Sequence, residues 1–204
     1  MLVKIFGSSI VRDLYKAVGK QQQGLLPDFG LGAHHYVDFS WIAGGTAGDF
    51  IEDNSLYNAF GNFQYDVVVI IAGGNDLSWT SGAQAGADYV ILVKKIFSRG
   101  YAARIICCSV PPRSRPRNIS QEEYTRRATE FNDFLAAELQ SIYGAKFWRH
   151  KGIWNANEVF VLGNGKEVHL PLVLLKDGVH FNDEGMHRLH KSVGGAIRHA
   201  MNMV

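Results

Sequence analysis

The chain has 204 residues, which is enough for one well-buried domain and cramped for two. Hydrophobic residues make up 47% and charged residues 20%, as is usual for a soluble globular protein. The formal net charge of +2 is too small to indicate a dedicated nucleic-acid-binding protein, which concentrates basic residues on one face. We therefore expect a single domain over residues 1–204.

Three features of the sequence indicate the cellular compartment of the protein. No apolar run approaches the ~20 residues that span a bilayer, and Met1 runs into a short apolar segment without the basic leader and cleavage site of a secretory signal. Cys107 and Cys108 are adjacent, and neighbours in a strand point to opposite faces, so a disulfide between them would be strained. We expect free, buried thiols and a cytoplasmic protein.

Five segments are predicted to be strands. The clearest is Asp66–Ala72, whose consecutive apolar residues are typical of a central parallel strand covered on both faces. Pro111 and Pro112 end the fourth segment. The predicted strands are Leu2–Phe6, His35–Ile42, Asp66–Ala72, Ala103–Val110 and Lys146–His150.

Four helices are predicted from the spacing of apolar residues. The second should bury a face that includes Val90 and Ile91. The third follows Ser120, an N-cap with Glu123 at the capping-box position, and the fourth follows Asn182, another good N-cap. The predicted helices are Ile10–Val18, Ala83–Ser98, Gln121–Tyr143 and Asp183–Met201.

The alternation of strands and helices predicts an α/β protein with one parallel sheet and helices on both of its faces. Val159–Leu162 and Lys166–Leu170 flank Gly163-Asn164-Gly165. An Asn-Gly pair between two such runs predicts a small β-hairpin, inserted between the fifth strand and the last helix.

Ligands of open parallel sheets bind beyond the carboxyl ends of the strands. The segments expected at that edge combine a serine, several glycines, an amide and an acid–imidazole pair, which are the groups that acyl transfer needs. They are Gly7-Ser8-Ser9 after the first strand, Gly44-Gly45-Thr46 after the second, Gly73-Gly74-Asn75-Asp76 after the third, and Asp177-Gly178-Val179-His180 after the hairpin.

These four segments resemble, in the same order, the sequence blocks of the SGNH or GDSL hydrolases. The Gly-x-Asn-Asp block is matched without change at 73–76 and the Asp-x-x-His block at 177–180, whereas Gly7-Ser8-Ser9-Ile10 stands for Gly-Asp-Ser-Leu. The resemblance covers the chain from end to end. It implies the SGNH hydrolase fold, which is a three-layer α/β/α arrangement around a flavodoxin-like open sheet of five parallel strands.

The resemblance implies a catalytic triad of Ser9, Asp177 and His180. Ser9 would be the nucleophile and His180 its general base, since an imidazole can take and return a proton near neutral pH. Asp177 would orient the imidazole and stabilise its charged form. Ser8 stands where the family usually has Asp, so we expect an altered loop around an active nucleophile.

The resemblance also implies an oxyanion hole. Its donors would be the backbone N–H groups of Ser9 and Gly44 and the side-chain amide of Asn75. Gly45 remains open as an alternative to Gly44. Asp76 is interpreted as structural. The Gly-x-Ser-x-Gly motif of the α/β-hydrolases does not occur in the chain.

Other clusters of chemistry-bearing residues are given non-catalytic interpretations. Arg113, Arg115 and Arg117, followed by the pair at 126–127, are interpreted as a solvated loop and helix rim rather than a phosphate site. His187 and His190 are three residues apart on a helix, but no cysteine or carboxylate cluster supports a metal site. We expect neither a metal nor a cofactor.

Two functions are therefore predicted. The first is hydrolysis of carboxylic esters through an acyl-enzyme, on short acyl groups such as acetyl, because only the polar loop Pro111–Asn118 is expected near the site. The alternative follows from segments 7–12 and 177–185, which resemble esterase-like domains encoded by some animal retrotransposons. That resemblance implies an interaction module with little turnover, which aids RNA or membrane association through the arginines at 113, 115 and 117.

Overall fold

The chain folds around one five-stranded parallel sheet in a computed structural model that describes residues 1–21, 24–154, 159–161, 164–165 and 167–202. The strands lie in the order β2-β1-β3-β4-β5, which is the flavodoxin-like order of a doubly wound sheet. The predicted fold class is confirmed. The strands are β1 (Leu2–Gly7), β2 (Tyr36–Trp41), β3 (Tyr65–Ile71), β4 (Ala102–Cys108) and β5 (Ala145–Trp148).

The helices include the four that were predicted and three short ones that were not. The predicted helix from Gln121 ends at Glu138 and continues as a 3-10 turn over Leu139–Ser141. Helices of only four or five residues carry too few turns for apolar spacing to reveal them. The helices are α1 (Ser9–Gly19), α2 (Ala47–Ile51), α3 (Asp53–Phe60), α4 (Gly82–Ser98), α5 (Gln121–Glu138), α6 (Leu170–Val173) and α7 (Asp183–Met201).

Two hydrophobic cores lie on the two faces of the sheet. One contains buried residues of α2 to α5, and the other contains those of α1 and α7. Neighbouring residues of β4 divide between them, because Cys107 belongs to the first core and Cys108 to the second. Both thiols are free and buried, as predicted, and burial raises the pKa of Cys107 to about 12.

Helix α4 buries Val90, as predicted, but the rest of its buried face differs from the prediction. Ile91 is 53% exposed, whereas Tyr89 and Leu92 are buried. Gly82 and Gly86 explain the difference, because both lie where α5 approaches α4. A Cβ at Gly86, for example, would lie 2.6 Å from the ring of Phe134. Small residues mark this contact, and a search for large apolar residues overlooks them.

The predicted hairpin is present beside the main sheet. Strands β6 (Val159–Val161) and β7 (Glu167–His169) pair in antiparallel fashion. Of the residues in this prediction, the strand ends Leu162 and Lys166 and the turn residue Gly163 lie outside the described residues. Within the described ranges, no helix is both long and apolar enough to cross a membrane.

A glycine-to-alanine pair tests the close contact of α4 with α5. A Cβ at Gly82 would lie 2.1 Å from the carbonyl oxygen of Arg127 and 2.6 Å from the backbone nitrogen of Phe131. Because backbone atoms must shift to admit it, we expect Gly82→Ala to lower the free energy of unfolding by about 1–3 kcal/mol, measured by urea denaturation. Gly19→Ala, which meets nothing within 4 Å, is the control. Equal effects of the two substitutions would contradict the contact.

Candidate active site

Hydrogen bonds between strand ends assemble the site at the carboxyl edge of the sheet. The carbonyl of Gly7 accepts the N–H of Ile42 at 3.0 Å, and the N–H of Ser8 donates to the carbonyl of Ile71 at 3.2 Å. A Cβ at Gly7 would lie 2.1 Å from that Ile71 oxygen, so only glycine fits here. The loops after β1, β2 and β3 are thereby held side by side, with Ser9 as the first residue of α1.

Ser9, His180 and Asp177 form a hydrogen-bonded chain, although Ser9 and His180 are 171 residues apart in sequence. Ser9 Oγ lies 3.1 Å from His180 Nε2, and His180 Nδ1 lies 2.7 Å from Asp177 Oδ2. The side chain of His180 is 24% exposed, which leaves the site open to a ligand. The structure thus brings together the three residues predicted as a triad.

The carboxylate of Asp177 is held by the turn that carries His180. Its Oδ1 accepts the N–H of Val179 at 2.9 Å and of His180 at 2.7 Å. Partial burial alone would raise the pKa of Asp177, but these bonds and the His180 ring outweigh it and hold that pKa well below its usual range. Asp177 therefore stays ionised near neutral pH.

The ionised Asp177 determines which nitrogen of His180 carries the proton. A carboxylate only accepts hydrogen bonds, so the 2.7 Å contact requires a proton on Nδ1. In the neutral ring Nε2 then has a free lone pair, which can accept the hydroxyl proton of Ser9. This is the tautomer that a general base for Ser9 needs.

The predicted oxyanion donors lie on the neighbouring loops. Asn75 Nδ2 donates to the carbonyl of Gly45 at 3.1 Å, which places the amide against the loop after β2. The N–H of Gly45 is used in a turn to Ile42, at 3.0 Å. The N–H of the exposed Gly44, by contrast, has no acceptor among the residues that the structure describes. Gly44 therefore has a backbone donor to offer, and Gly45 does not.

Asp76 lies beneath these loops and joins two of them. Its Oδ1 accepts the N–H of Ala47, the first residue of α2, at 2.8 Å. Tyr89 donates to the other oxygen at 3.5 Å. Asp76 is 6% exposed, and burial raises its pKa to about 6. This placement agrees with a structural interpretation of Asp76.

Ser8 stands where the GDSL hydrolases that the sequence resembles usually have Asp. It is buried at the N-cap of α1. Its hydroxyl makes no capping hydrogen bond to the helix. The loop is held instead through its backbone, by the bond from the Ser8 N–H to Ile71.

The arginines of the loop after β4 do not share one surface. Arg115 and Arg117 are exposed, as predicted, but the prediction of a solvated side chain is wrong for Arg113, which is 5% exposed. Its Nη2 donates to Asn75 Oδ1 at 3.0 Å, so Arg113 adjoins the candidate site. The rule that placed functional residues after the other strands, applied also to β4, points to this residue.

His190 and the arginine pair at 126–127 have local partners. The ring of His190 stacks on Phe29 with centroids 4.3 Å apart, and Glu123 pairs with Arg126 and Arg127 at 2.9 and 2.7 Å. Across the described part of the chain, no group of three or more His, Cys, Asp or Glu residues is placed to hold a metal ion.

Comparisons with known proteins show the family of the chain and solved structures with a similar fold. Residues 5–188 match the model of the GDSL-like lipase/acylhydrolase family. A putative acylhydrolase from Bacteroides fragilis has a TM-score of 0.69 at 17% identity, over 98% of this chain and 88% of that one. A GDSL-like lipase from Bacteroides thetaiotaomicron has a TM-score of 0.65 at 20% identity, over the same shares of the two chains. A carbohydrate acetylesterase from Sinorhizobium meliloti has a TM-score of 0.66 at 14% identity, over 97% and 98%. A search of the curated proteins found no match.

The pH dependence of stability tests the burial of Asp76. Folding raises the pKa of Asp76 from 3.8 to about 6, so it favours the protonated carboxyl. The protonated Asp76 carboxyl therefore adds about 3 kcal/mol to the free energy of unfolding below pH 3.8. This stabilisation decreases as the pH rises above 3.8 and is lost once the pH has passed 6. Asp76→Asn keeps an oxygen for the N–H of Ala47 but cannot titrate. We therefore expect wild type to lose stability relative to this variant between about pH 4 and pH 7 in urea denaturation.

Asp66→Asn is the matched control for that experiment. Asp66 is exposed and also accepts one backbone N–H, that of Leu2 at 2.7 Å. The stability of the Asp66→Asn variant as a function of pH gives the effect of the same chemical change at the surface. A difference between wild type and Asp76→Asn that does not vary with pH would contradict the burial of a titrating carboxylate.

Proposed function

Because the chain belongs to the GDSL-like lipase/acylhydrolase family, we propose that it is a serine esterase that works through an acyl-enzyme on Ser9. The observation that carries this proposal is the hydrogen-bonded chain from Ser9 Oγ through His180 to the Asp177 carboxylate, with separations of 3.1 and 2.7 Å. A serine hydroxyl is a weak nucleophile at neutral pH, and His180 in this series of hydrogen bonds supplies the base that it needs.

In the acylation half, Ser9 Oγ attacks the ester carbonyl carbon while its proton passes to His180 Nε2. The imidazolium that forms is stabilised by the carboxylate of Asp177, which stays ionised. When the tetrahedral intermediate collapses, the bond from carbon to the alcohol oxygen breaks. His180 returns the proton to that oxygen, the alcohol leaves, and the acyl group remains on Ser9.

In the deacylation half, a water molecule replaces the alcohol. His180 takes a proton from the water as its oxygen attacks the acyl carbon. The second tetrahedral intermediate breaks at the bond to Ser9 Oγ, which recovers its proton from His180. The carboxylic acid is released, and the enzyme returns to its starting protonation state.

The oxyanion that forms in both halves needs donors that are in place beforehand. We assign this role to the N–H groups of Ser9 and Gly44 and to the second N–H of the Asn75 amide. The first residue of a helix has no intrahelical acceptor for its N–H, which leaves that of Ser9 free to donate. The occupied N–H of Gly45 and the unoccupied N–H of Gly44 support the choice of Gly44.

The acyl group of the proposed substrate is short, such as acetyl. The polar segment around Arg113 and Ser114 lies beside the site, contacting Asn75 and Gly178. The structurally similar proteins whose names specify a substrate include an acetyl xylan esterase and a carbohydrate acetylesterase, which supports a short acyl group.

The alternative function, an RNA- or membrane-associated module of a retrotransposon-encoded protein, has less support. The three arginines that would carry it do not act together, because Arg113 is buried while Arg115 and Arg117 are exposed. We therefore favour turnover of esters.

Removal of the Ser9 hydroxyl tests the proposal. We expect Ser9→Ala to lower kcat for p-nitrophenyl acetate by at least about 1,000-fold, because no neighbouring group replaces the nucleophile. Butyrate and a long-chain ester, assayed in parallel, report the acyl length, and acetate should be the fastest of the three.

Ser8→Ala is the matched control. It removes an adjacent hydroxyl that makes no capping bond to α1, and it should leave kcat within a few-fold of wild type. A wild-type protein no faster than Ser9→Ala on all three esters would overturn the esterase proposal.

The role of the acid is tested by Asp177→Asn. The amide oxygen can still accept the N–H groups of Val179 and His180, but a neutral side chain no longer requires the proton on His180 Nδ1. We expect kcat to fall by about 100- to 10,000-fold with little change in KM. A kcat close to wild type would show that Asp177 does not set the tautomer.

A further inference from the structure

Arg113 is a cation buried in the protein. It is 5% exposed, and among the described residues no carboxylate forms an ion pair with it. Its Nε is also buried and has no hydrogen-bond partner in the described part of the chain. Its guanidinium lies 5.5 Å from the ring centroid of Tyr124. Burial of an unpaired charge is costly, so stability alone gives no reason for this side chain.

Among the described residues, the polar side chain that Arg113 contacts is the proposed oxyanion donor, Asn75. Its Nη2 donates to Asn75 Oδ1 at 3.0 Å, while Asn75 Nδ2 donates to the carbonyl of Gly45 at 3.1 Å. A flipped amide would place its NH₂ group against the guanidinium and its oxygen against the Gly45 carbonyl. Both contacts would then be repulsive, so Arg113 selects the orientation in which the NH₂ group lies beside the loop of Gly44 and Gly45.

The charge of Arg113 also changes what the amide can do. A cation on the amide oxygen draws electron density from the nitrogen and makes the remaining N–H a stronger donor. This polarisation favours an oxyanion more than the neutral carbonyl that precedes it, because the oxyanion carries the larger negative charge. Its effect therefore appears in the transition state.

The surroundings keep Arg113 in this position. A Cβ at Gly74 would lie 2.8 Å from Arg113 Nη2, so the backbone leaves room for the guanidinium. The next residue, Ser114, donates its N–H to the carbonyl of Gly178 at 2.8 Å, within the turn that carries Asp177 and His180. The segment that positions Asn75 thus also contacts the turn that positions the base.

The geometry points to Arg113 as a positioning residue of the esterase, which orients and polarises the Asn75 amide as an oxyanion donor. This inference rests on the proposed function, since it assigns Arg113 a part in the same reaction. It acts through Asn75 and does not touch the substrate.

A double-mutant cycle tests whether Arg113 acts through Asn75. We expect Arg113→Met to lower kcat for p-nitrophenyl acetate by roughly 10- to 100-fold with little change in KM, and Arg113→Lys to recover part of the loss. In the Asn75→Ala background, Arg113→Met should change kcat by less than about 3-fold, because the group it orients is absent. Arg117 is an exposed arginine of the same loop, so Arg117→Met should leave kcat unchanged.

A readout that needs no turnover separates this inference from the esterase proposal. The side-chain NH₂ signals of Asn75, identified by their loss in Asn75→Ala, should shift in Arg113→Met and not in Arg117→Met. Unshifted signals, or equal losses of kcat in both backgrounds, would overturn the role of Arg113. A wild type without esterase activity whose amide signals still depend on Arg113 would overturn the proposed function and leave the positioning role in place.

Discussion

Five strands that run in one direction bring their carboxyl ends to the same edge of the sheet, and every part of the candidate site depends on this constraint. The N–H of Ile42 and the carbonyl of Ile71 continue the alignment of β1 with its two neighbours beyond the strands themselves. Because a Cβ at Gly7 would collide with that carbonyl, the approach of β3 to β1 leaves no choice of residue just before Ser8 and Ser9. The position of the nucleophile is thus a consequence of strand pairing.

Polar side chains connect the loops that this edge brings together, and they do so in two groups. The Asp177 turn holds itself through its own backbone N–H groups and determines the tautomer of His180. The loops after β2 and β3 are joined by Asp76 and Asn75. The segment after β4 contacts both groups. The Arg113 side chain donates to Asn75, and the N–H groups of Ser114 and Arg115 donate to Gly178 in the Asp177 turn. A change in this segment should therefore affect the base and the oxyanion donors together.

The parts of the molecule that the sequence could predict are those with a local pattern or a fixed place relative to a strand. The apolar run 66–72 predicted β3, and Asp-x-x-His at 177–180 predicted an acid–imidazole pair on one turn, which the structure places in contact with Ser9. The prediction that Ile91 of α4 is buried was wrong, because the contact of α4 with α5 is made at Gly82 and Gly86. Arg113 was misinterpreted because its burial follows from Asn75, 38 residues earlier, and from Tyr124 on the next helix. The place of Arg113 after β4 is a signal that it lies near the site. Its contacts with Asn75 and Tyr124 depend on tertiary packing, which no spacing along the chain encodes.

The central claim is that Ser9 is a nucleophile activated by His180. The most direct measurement is the reaction of the protein with an organophosphate ester, followed by intact mass and peptide mapping. We expect one phosphoryl adduct per chain on Ser9, formed much more slowly in a His180→Gln variant and absent from Ser9→Ala. Labelling that occurs at another residue, or that proceeds at the same rate without His180, would contradict it.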